Sequence, residues 1–184
     1  MRLLFIGPPG AGKGTQAKSV AERLGIAHIS TGDMFRSLDP DTELGRKVNR
    51  IMQAGDYVPD EVVVEMLEGR LSQPDAARGF ILDGFPRTLG QAEALDRLLG
   101  EGGLDRVVLL EVPEDELVRR MLARGRLDDT EAAIRNRLAT YRRETEPLID
   151  FYRKRSIVIE VDGLGEIEEV TGRVLEAIGV TERG

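Results

Sequence analysis

The sequence predicts an α/β protein: a parallel five-stranded sheet flanked by helices. Two observations carry that expectation. Short apolar runs alternate with longer stretches of helical character, which favours parallel strands covered on both faces. The first apolar run also ends in a glycine-rich segment with one lysine, Gly7-Pro8-Pro9-Gly10-Ala11-Gly12-Lys13-Gly14-Thr15, that opens directly into a helical pattern. The chain has 184 residues, enough for one domain spanning 1–184, and its 41% hydrophobic content supports a substantial core. Its formal net charge of −7 leaves no general basic surface for nucleic acid.

Taken in order, strands are expected at Arg2–Ile6, Ala27–Ile29, Phe80–Asp83, Arg106–Glu111 and Ile157–Val161. Helices are expected at Lys13–Leu24, Thr42–Ala54, Asp60–Leu71, Leu89–Leu99, Glu114–Arg124, Thr130–Lys154 and Glu166–Ile178. Leu3-Leu4-Phe5-Ile6 reads as a buried strand because it is apolar throughout. The stretch from Ile29 to Phe80 holds helices and no clear strand, too much for a single crossover, so a small helical insertion over 30–59 is expected beside the sheet. Within it, Gly55 and Pro59 bracket a tight connection. Pro113 sits early in its helix, where its missing N–H costs nothing. Gly125 to Asp129 is a short polar join between two helices, and 124–130 is expected to form a small flap. Ligands of such a sheet lie beyond the carboxyl ends of its strands, so the loops after Ile6, Ile29 and Asp83 are the places to look.

Strand, glycine-rich loop, lysine and helix start together describe a phosphate-binding loop, or P-loop. Glycines let backbone N–H groups wrap around phosphates, the helix N-terminus adds positive potential, and the lysine reaches the outer phosphates. Gly10, Ala11, Gly12, Lys13, Gly14 and Thr15 are therefore expected to hold a nucleoside polyphosphate. No cysteine is present, which excludes disulfides and thiolate metal sites. The apolar opening is too quickly broken by Gly and Pro for a signal peptide, and no run approaches a membrane span. A cytoplasmic protein without nucleic-acid or membrane partners is expected.

In the P-loop, Gly14 intervenes between Lys13 and Thr15, and GPPGAGKGT taken whole resembles the signature of nucleoside monophosphate kinases, adenylate kinases in particular. Two further segments extend the resemblance over nearly the whole chain. The acceptor half is matched in order by Ser30-Thr31-Gly32-Asp33-Met34-Phe35-Arg36, by Gly55 to Asp60, and by Asp83-Gly84-Phe85-Pro86-Arg87 with Gln91 four residues on. The resemblance implies that Thr31, Arg36 and Arg87 hold the acceptor nucleotide and its phosphate. Backbone around Tyr57, Val58 and Pro59, together with Gln91, would face the acceptor adenine, and Gly84, Phe85 and Pro86 would belong to the AMP site. Pyrimidine-directed relatives, which use UMP or CMP, tend to carry alanine and asparagine in place of Thr31 and Gln91. AMP is therefore the expected acceptor, with a UMP, CMP or other monophosphate kinase as the alternative.

The third segment, Arg120 to Arg137, resembles the lid of that family. By resemblance, Arg120 and Arg124 engage the donor nucleotide, Arg126 and Arg137 grip the transferring phosphate and the acceptor, and Asp128 and Asp129 orient the arginines. Gly163 after the last strand would offer its backbone to the donor adenine. The lid is shorter than even the family's short form, and the cysteines that bind zinc in long-lid relatives are absent, so no zinc site is expected. The implied reaction is reversible phosphoryl transfer from MgATP to AMP, giving two ADP. Lys13, Arg87, Arg124, Arg126 and Arg137 would be catalytic. Mg²⁺ would be held by Asp83 through water with Thr15 nearby, and the enzyme would be a monomer. His28, the only histidine, is expected simply to pack.

Overall fold

In a computed structural model, residues 1–126 and 129–180 are described. Among them, five strands form one parallel sheet in the order β2-β3-β1-β4-β5. The strands are β1 (Arg2–Ile6), β2 (Ala27–Ser30), β3 (Phe80–Asp83), β4 (Arg106–Glu111) and β5 (Val158–Asp162). The helices are α1 (Lys13–Leu24), α2 (Thr31–Arg36), α3 (Glu43–Ala54), α4 (Asp60–Leu71), α5 (Leu89–Leu99), α6 (Glu114–Arg124), α7 (Glu131–Thr140), α8 (Pro147–Arg153) and α9 (Ile167–Ala177).

The central strands are apolar on both faces because both are covered. Leu3, Phe5, Ile81, Val108 and Leu110 pack on one side with residues of α1, α6, α7 and α9. Leu4, Ile6, Leu82, Val107 and Leu109 pack on the other with residues of α3, α4, α5 and α8. The register pairs Leu4 with both Leu82 and Val107, and Phe5 with Asp83. That last pairing sets a buried carboxylate beside the end of β1, where the glycine-rich loop begins.

Apart from one-residue differences at the ends of β2, α3 and α9, two stretches differ from the sequence-based expectation. The region predicted as one helix over Thr130–Lys154 breaks into α7, a π-turn at Tyr141–Thr145, and α8. The cause is Pro147, which has no N–H to donate to the carbonyl four residues back and whose ring crowds it. The chain takes up the misfit one residue earlier: the Glu146 N–H reaches Tyr141 O at 2.9 Å, five residues back. The last strand lies one residue later than expected, at Val158–Asp162.

The stretch after β2 is helical. Ser30 caps α2 by accepting from the Asp33 N–H, and Thr42 caps α3 by accepting from the Gly45 N–H. The helix α4 returns to the body of the protein, burying Val63 and Leu67. No helix among the described residues is long and apolar enough to cross a membrane.

Candidate active site

The carboxyl ends of the strands open on a cleft of about 1080 Å³. Its floor is the loop after β1. Gly10 and Gly12 adopt φ of 87° and 91°, a left-handed backbone that side-chain-bearing residues rarely take, and Gly12 is the residue that caps α1. No side chain caps α1 and no acidic residue sits in its first turn, so its leading N–H groups point to the cleft unneutralised. The Lys13 ammonium folds back onto its own loop, donating to Gly7 O at 2.8 Å and Pro8 O at 2.9 Å. Burial lowers its pKa to about 8; Asp83 opposes that shift, and Arg87 and Arg124 add to it.

Asp83, at the end of β3, is 9% exposed. Burial works against its ionisation, yet the nearby His28, Lys13 and Arg87 outweigh it and hold the carboxyl below its usual range. His28 therefore does more than pack. Its Nε2 lies 3.6 Å from Asp83 Oδ2, too long for a direct hydrogen bond but close enough to influence the charge. Asp83 Oδ2 also lies 3.2 Å from where a Cβ on Gly14 would stand, so the carboxylate abuts the loop.

Guanidiniums reach the cleft from several elements. Arg36 ends α2 and donates to Asp33 at 2.7 Å. Arg87 follows β3; its Nε donates to Gly84 O at 2.7 Å, and its guanidinium carbon lies 5.0 Å from the centre of the Tyr57 ring. Gly84, with φ of 84°, is required here, because a Cβ would meet Thr31 Oγ1 at 2.8 Å and Arg87 Nη2 at 3.1 Å. Arg120 spans two loops, donating to Ala11 O at 3.4 Å and Gly163 O at 3.1 Å while its Nε pairs with Glu116 at 2.7 Å. Glu116, held by Arg119 and Arg120, has its pKa lowered to about 2.

Arg124, Arg126 and Arg137 converge on Asp129, whose side chain is 1% exposed. Arg124 grips it with two hydrogen bonds, at 2.6 and 2.8 Å, Arg137 donates at 2.9 Å, and the Arg126 N–H donates at 3.3 Å. Burial raises the cost of this charge, but the arginines more than offset it and the carboxyl stays ionised below its usual range. Arg137 also donates to Met52 O at 3.3 Å, and Asn136 donates to Ala54 O at 2.9 Å, so α7 is moored to the carbonyl end of α3, where the helix dipole favours cations. Arg135, two residues away, points outward and pairs with Glu131.

All of the expected donor-side residues line the cleft: Gly10 to Thr15, Arg120, Arg124 and Gly163. So do Arg36, Tyr57, Val58, Gly84, Pro86, Arg87, Gln91, Arg126 and Arg137. Three residues expected at the acceptor do not. Phe85 is fully buried in the core, which claims its aromatic ring. Pro59 faces outward as the residue capping α4. Thr31 is 2% exposed and sits behind Gly84, with no partner for its hydroxyl among the described residues. Asp128 lies outside the described residues.

Sequence reasoning gave no role to two polar residues that tie the acceptor side together. Thr145, buried on the π-turn, donates to Arg87 O at 2.8 Å and lies 2.7 Å from the Tyr57 hydroxyl. Asp60 accepts from Gln91 Nε2 at 2.6 Å. Neither carried a local signal: Thr145 is 88 residues from Tyr57 and Asp60 is 31 from Gln91.

A glycine-rich phosphate loop facing guanidiniums from several separate elements, on a parallel sheet, defines a P-loop nucleotide phosphotransferase. The comparisons with known proteins carry this to a family. A family model described as adenylate kinase matches residues 5–157. An adenylate kinase of Nocardia farcinica is 55% identical, over 97% of this chain and 99% of that protein. Those of Nocardioides sp. (52% identical, 98% of both chains) and Stenotrophomonas maltophilia (51% identical, 97% and 99%) are similar across the same length. The chain belongs to the adenylate kinase family.

Proposed function

We infer that this cleft carries out reversible transfer of the terminal phosphoryl group of ATP to AMP, giving two ADP. The single observation that carries the reading is the arrangement of cations: the buried Lys13 on the phosphate loop, with Arg36, Arg87, Arg124, Arg126 and Arg137 lining the same cleft from other segments. Two polyanions brought together need that density of positive charge. A single-nucleotide hydrolase would not need arginines on the side away from the loop.

The acceptor is a phosphate oxygen that is already largely anionic at neutral pH, because the second phosphate pKa is about 6. No general base is needed, and catalysis reduces to positioning and charge stabilisation. Lys13 and the loop N–H groups hold the donor phosphates. Arg36 and Arg87 hold the AMP phosphate, and Arg87, Arg124, Arg126 and Arg137 surround the group in flight. Guanidiniums suit that task because they stay charged and bind phosphate in a planar fork. Arg120 and Gly163 flank the donor base. Closure of the helical insertion and the flap excludes water that would otherwise compete with AMP.

Asp83 and Thr15 offer hard oxygen donors beside the phosphate loop, and the ionised, buried Asp83 carboxylate fits Mg²⁺ in character. When bound with ATP, that ion would neutralise donor phosphate charge, with Asp83 holding it through water and Thr15 nearby. Gln91 faces the acceptor base, and its amide retains one donor and one acceptor for an adenine edge. The protein is read as a cytoplasmic monomer.

An acceptor panel tests the reading. ADP should form rapidly from MgATP with AMP, and far more slowly with UMP, CMP, GMP or no acceptor. Equal use of UMP or CMP would overturn the base assignment, and equal rates without any acceptor would overturn the transfer itself.

A further inference from the structure

We propose that Asp60 sets acceptor-base specificity by holding the Gln91 amide in one of its two orientations; this rests on the reading above, in which Gln91 faces the acceptor base. Gln91 is 2% exposed and its amide is gripped at both ends. Oε1 accepts from the Arg87 N–H at 2.7 Å, and Nε2 donates to Asp60 Oδ1 at 2.6 Å. Turning the amide end for end would set Oε1 against the Asp60 carboxylate, acceptor facing acceptor. It would also set the amino group against the Arg87 N–H, donor facing donor. An ionised carboxylate only accepts, so Asp60 tolerates one orientation alone. Asp60 is itself anchored. Its Oδ2 accepts from the Thr88 hydroxyl at 3.1 Å, and that hydroxyl accepts from the Gln91 N–H at 3.2 Å.

Orientation matters because purines present two opposite edges. Adenine offers an acceptor at N1 and a donor at its 6-amino group. Hypoxanthine offers a donor at N1 and an acceptor at O6. The amide as held has one N–H and one lone pair to spare, and in this proposal their fixed order is the one that meets adenine and opposes hypoxanthine. An amide free to turn would read either. In this account Gln91 does the reading, and Asp60 is a positioning residue that makes the reading selective.

The test compares kcat/KM for AMP and for IMP in the wild-type protein, Asp60→Asn and Gln91→Ala. IMP is the probe because it reverses the edge without adding the 2-amino group of GMP. Asp60→Asn keeps the shape and can donate or accept, so it lifts the carboxylate's bar to the turned amide and leaves only the opposing Arg87 N–H. The AMP-over-IMP ratio is expected to fall about tenfold or more in Asp60→Asn, through better use of IMP and a higher KM for AMP, and to fall also in Gln91→Ala. Loss of packing alone would weaken both acceptors together and leave the ratio unmoved. A ratio in Asp60→Asn within about twofold of wild type, while Gln91→Ala lowers it, would overturn the role of Asp60 and leave Gln91 as the reader. An unchanged ratio in Gln91→Ala would remove the reading on which the proposal stands.

Discussion

Replacing Thr145 with valine isolates the contact that ties the acceptor side to the body of the protein. Thr145 is 5% exposed, and its hydroxyl has one proton. The Arg87 carbonyl can only accept, so Thr145 donates there, at 2.8 Å, and the Tyr57 hydroxyl must be the donor at 2.7 Å. Valine matches the shape, removes both bonds, and leaves a carbonyl and a phenol unpartnered. Two neutral hydrogen bonds at about 1 kcal/mol each, with the carbonyl's desolvation added, put the stability loss at about 2–3 kcal/mol. The functional effect follows from what the bonds hold. Arg87 loses the bond to its carbonyl and on its main chain keeps only that from its N–H to Gln91, and the Tyr57 ring beneath its guanidinium loses its tether. A fall of about tenfold in kcat/KM for AMP, about 1.4 kcal/mol, is expected, with the KM for ATP changed less than about twofold. Initial rates with each substrate varied in turn, beside a thermal melt, measure both. Thr145→Ser should restore AMP use. Tyr57→Phe should add little to Thr145→Val, because the two remove one shared bond. A melt that falls while AMP kinetics stay at wild-type values would refute the reasoning and leave Thr145 a packing residue.

Arg87→Ala should slow turnover by about 10³–10⁵, or about 4–7 kcal/mol, if Arg87 acts on the transferring group as an arginine finger does; turnover within about tenfold of wild type would contradict that role. Asp129→Asn replaces a buried carboxylate shared by Arg124 and Arg137 with a neutral isostere. Removing one partner of a buried pair costs about 3–5 kcal/mol, and because Arg124 is one-third exposed the lower end is expected, seen in urea unfolding together with a slower kcat. The same carboxylate sets an acid limit. Its folded pKa is depressed, so its contribution to stability is complete above its unfolded pKa near 3.8 and is lost as the pH falls further, through the lower folded pKa. Between pH 5 and pH 3 the wild-type unfolding free energy should therefore drop more steeply than that of Asp129→Asn, and parallel slopes would contradict the assignment.

Much of this protein was legible from local pattern. The glycine-rich loop between an apolar strand and a helix is contiguous, so the phosphate floor could be read from one segment. The central strands β1, β3 and β4 were visible because both sheet faces are covered there and their apolar runs are uninterrupted. What escaped depends on contacts between distant segments. The pairing of His28 with Asp83 arises from β2 lying beside β3 in the sheet, which the chain order does not announce. The partners of Thr145 and Gln91 likewise come from other elements. Pro147 stands within the stretch expected as one helix over Thr130–Lys154, but a proline shows that a helix must adjust and not how. Here the adjustment is a π-turn, and it is what places Thr145 against Arg87. Phe85 shows the converse: its neighbours Gly84 and Pro86 line the cleft, while burial of its ring turns the side chain into the core.

The most direct test of phosphoryl transfer between two bound nucleotides follows the phosphorus itself. ATP labelled at its γ-phosphate is mixed with AMP and the protein, and the label is traced at early times. The account predicts label in the β-phosphate of the ADP made from AMP, with little in inorganic phosphate, because the arginine-lined cleft delivers the group to AMP and excludes water. Label accumulating as inorganic phosphate at the same rate with or without AMP would show hydrolysis, and the roles given to the acceptor-side arginines would have to be abandoned.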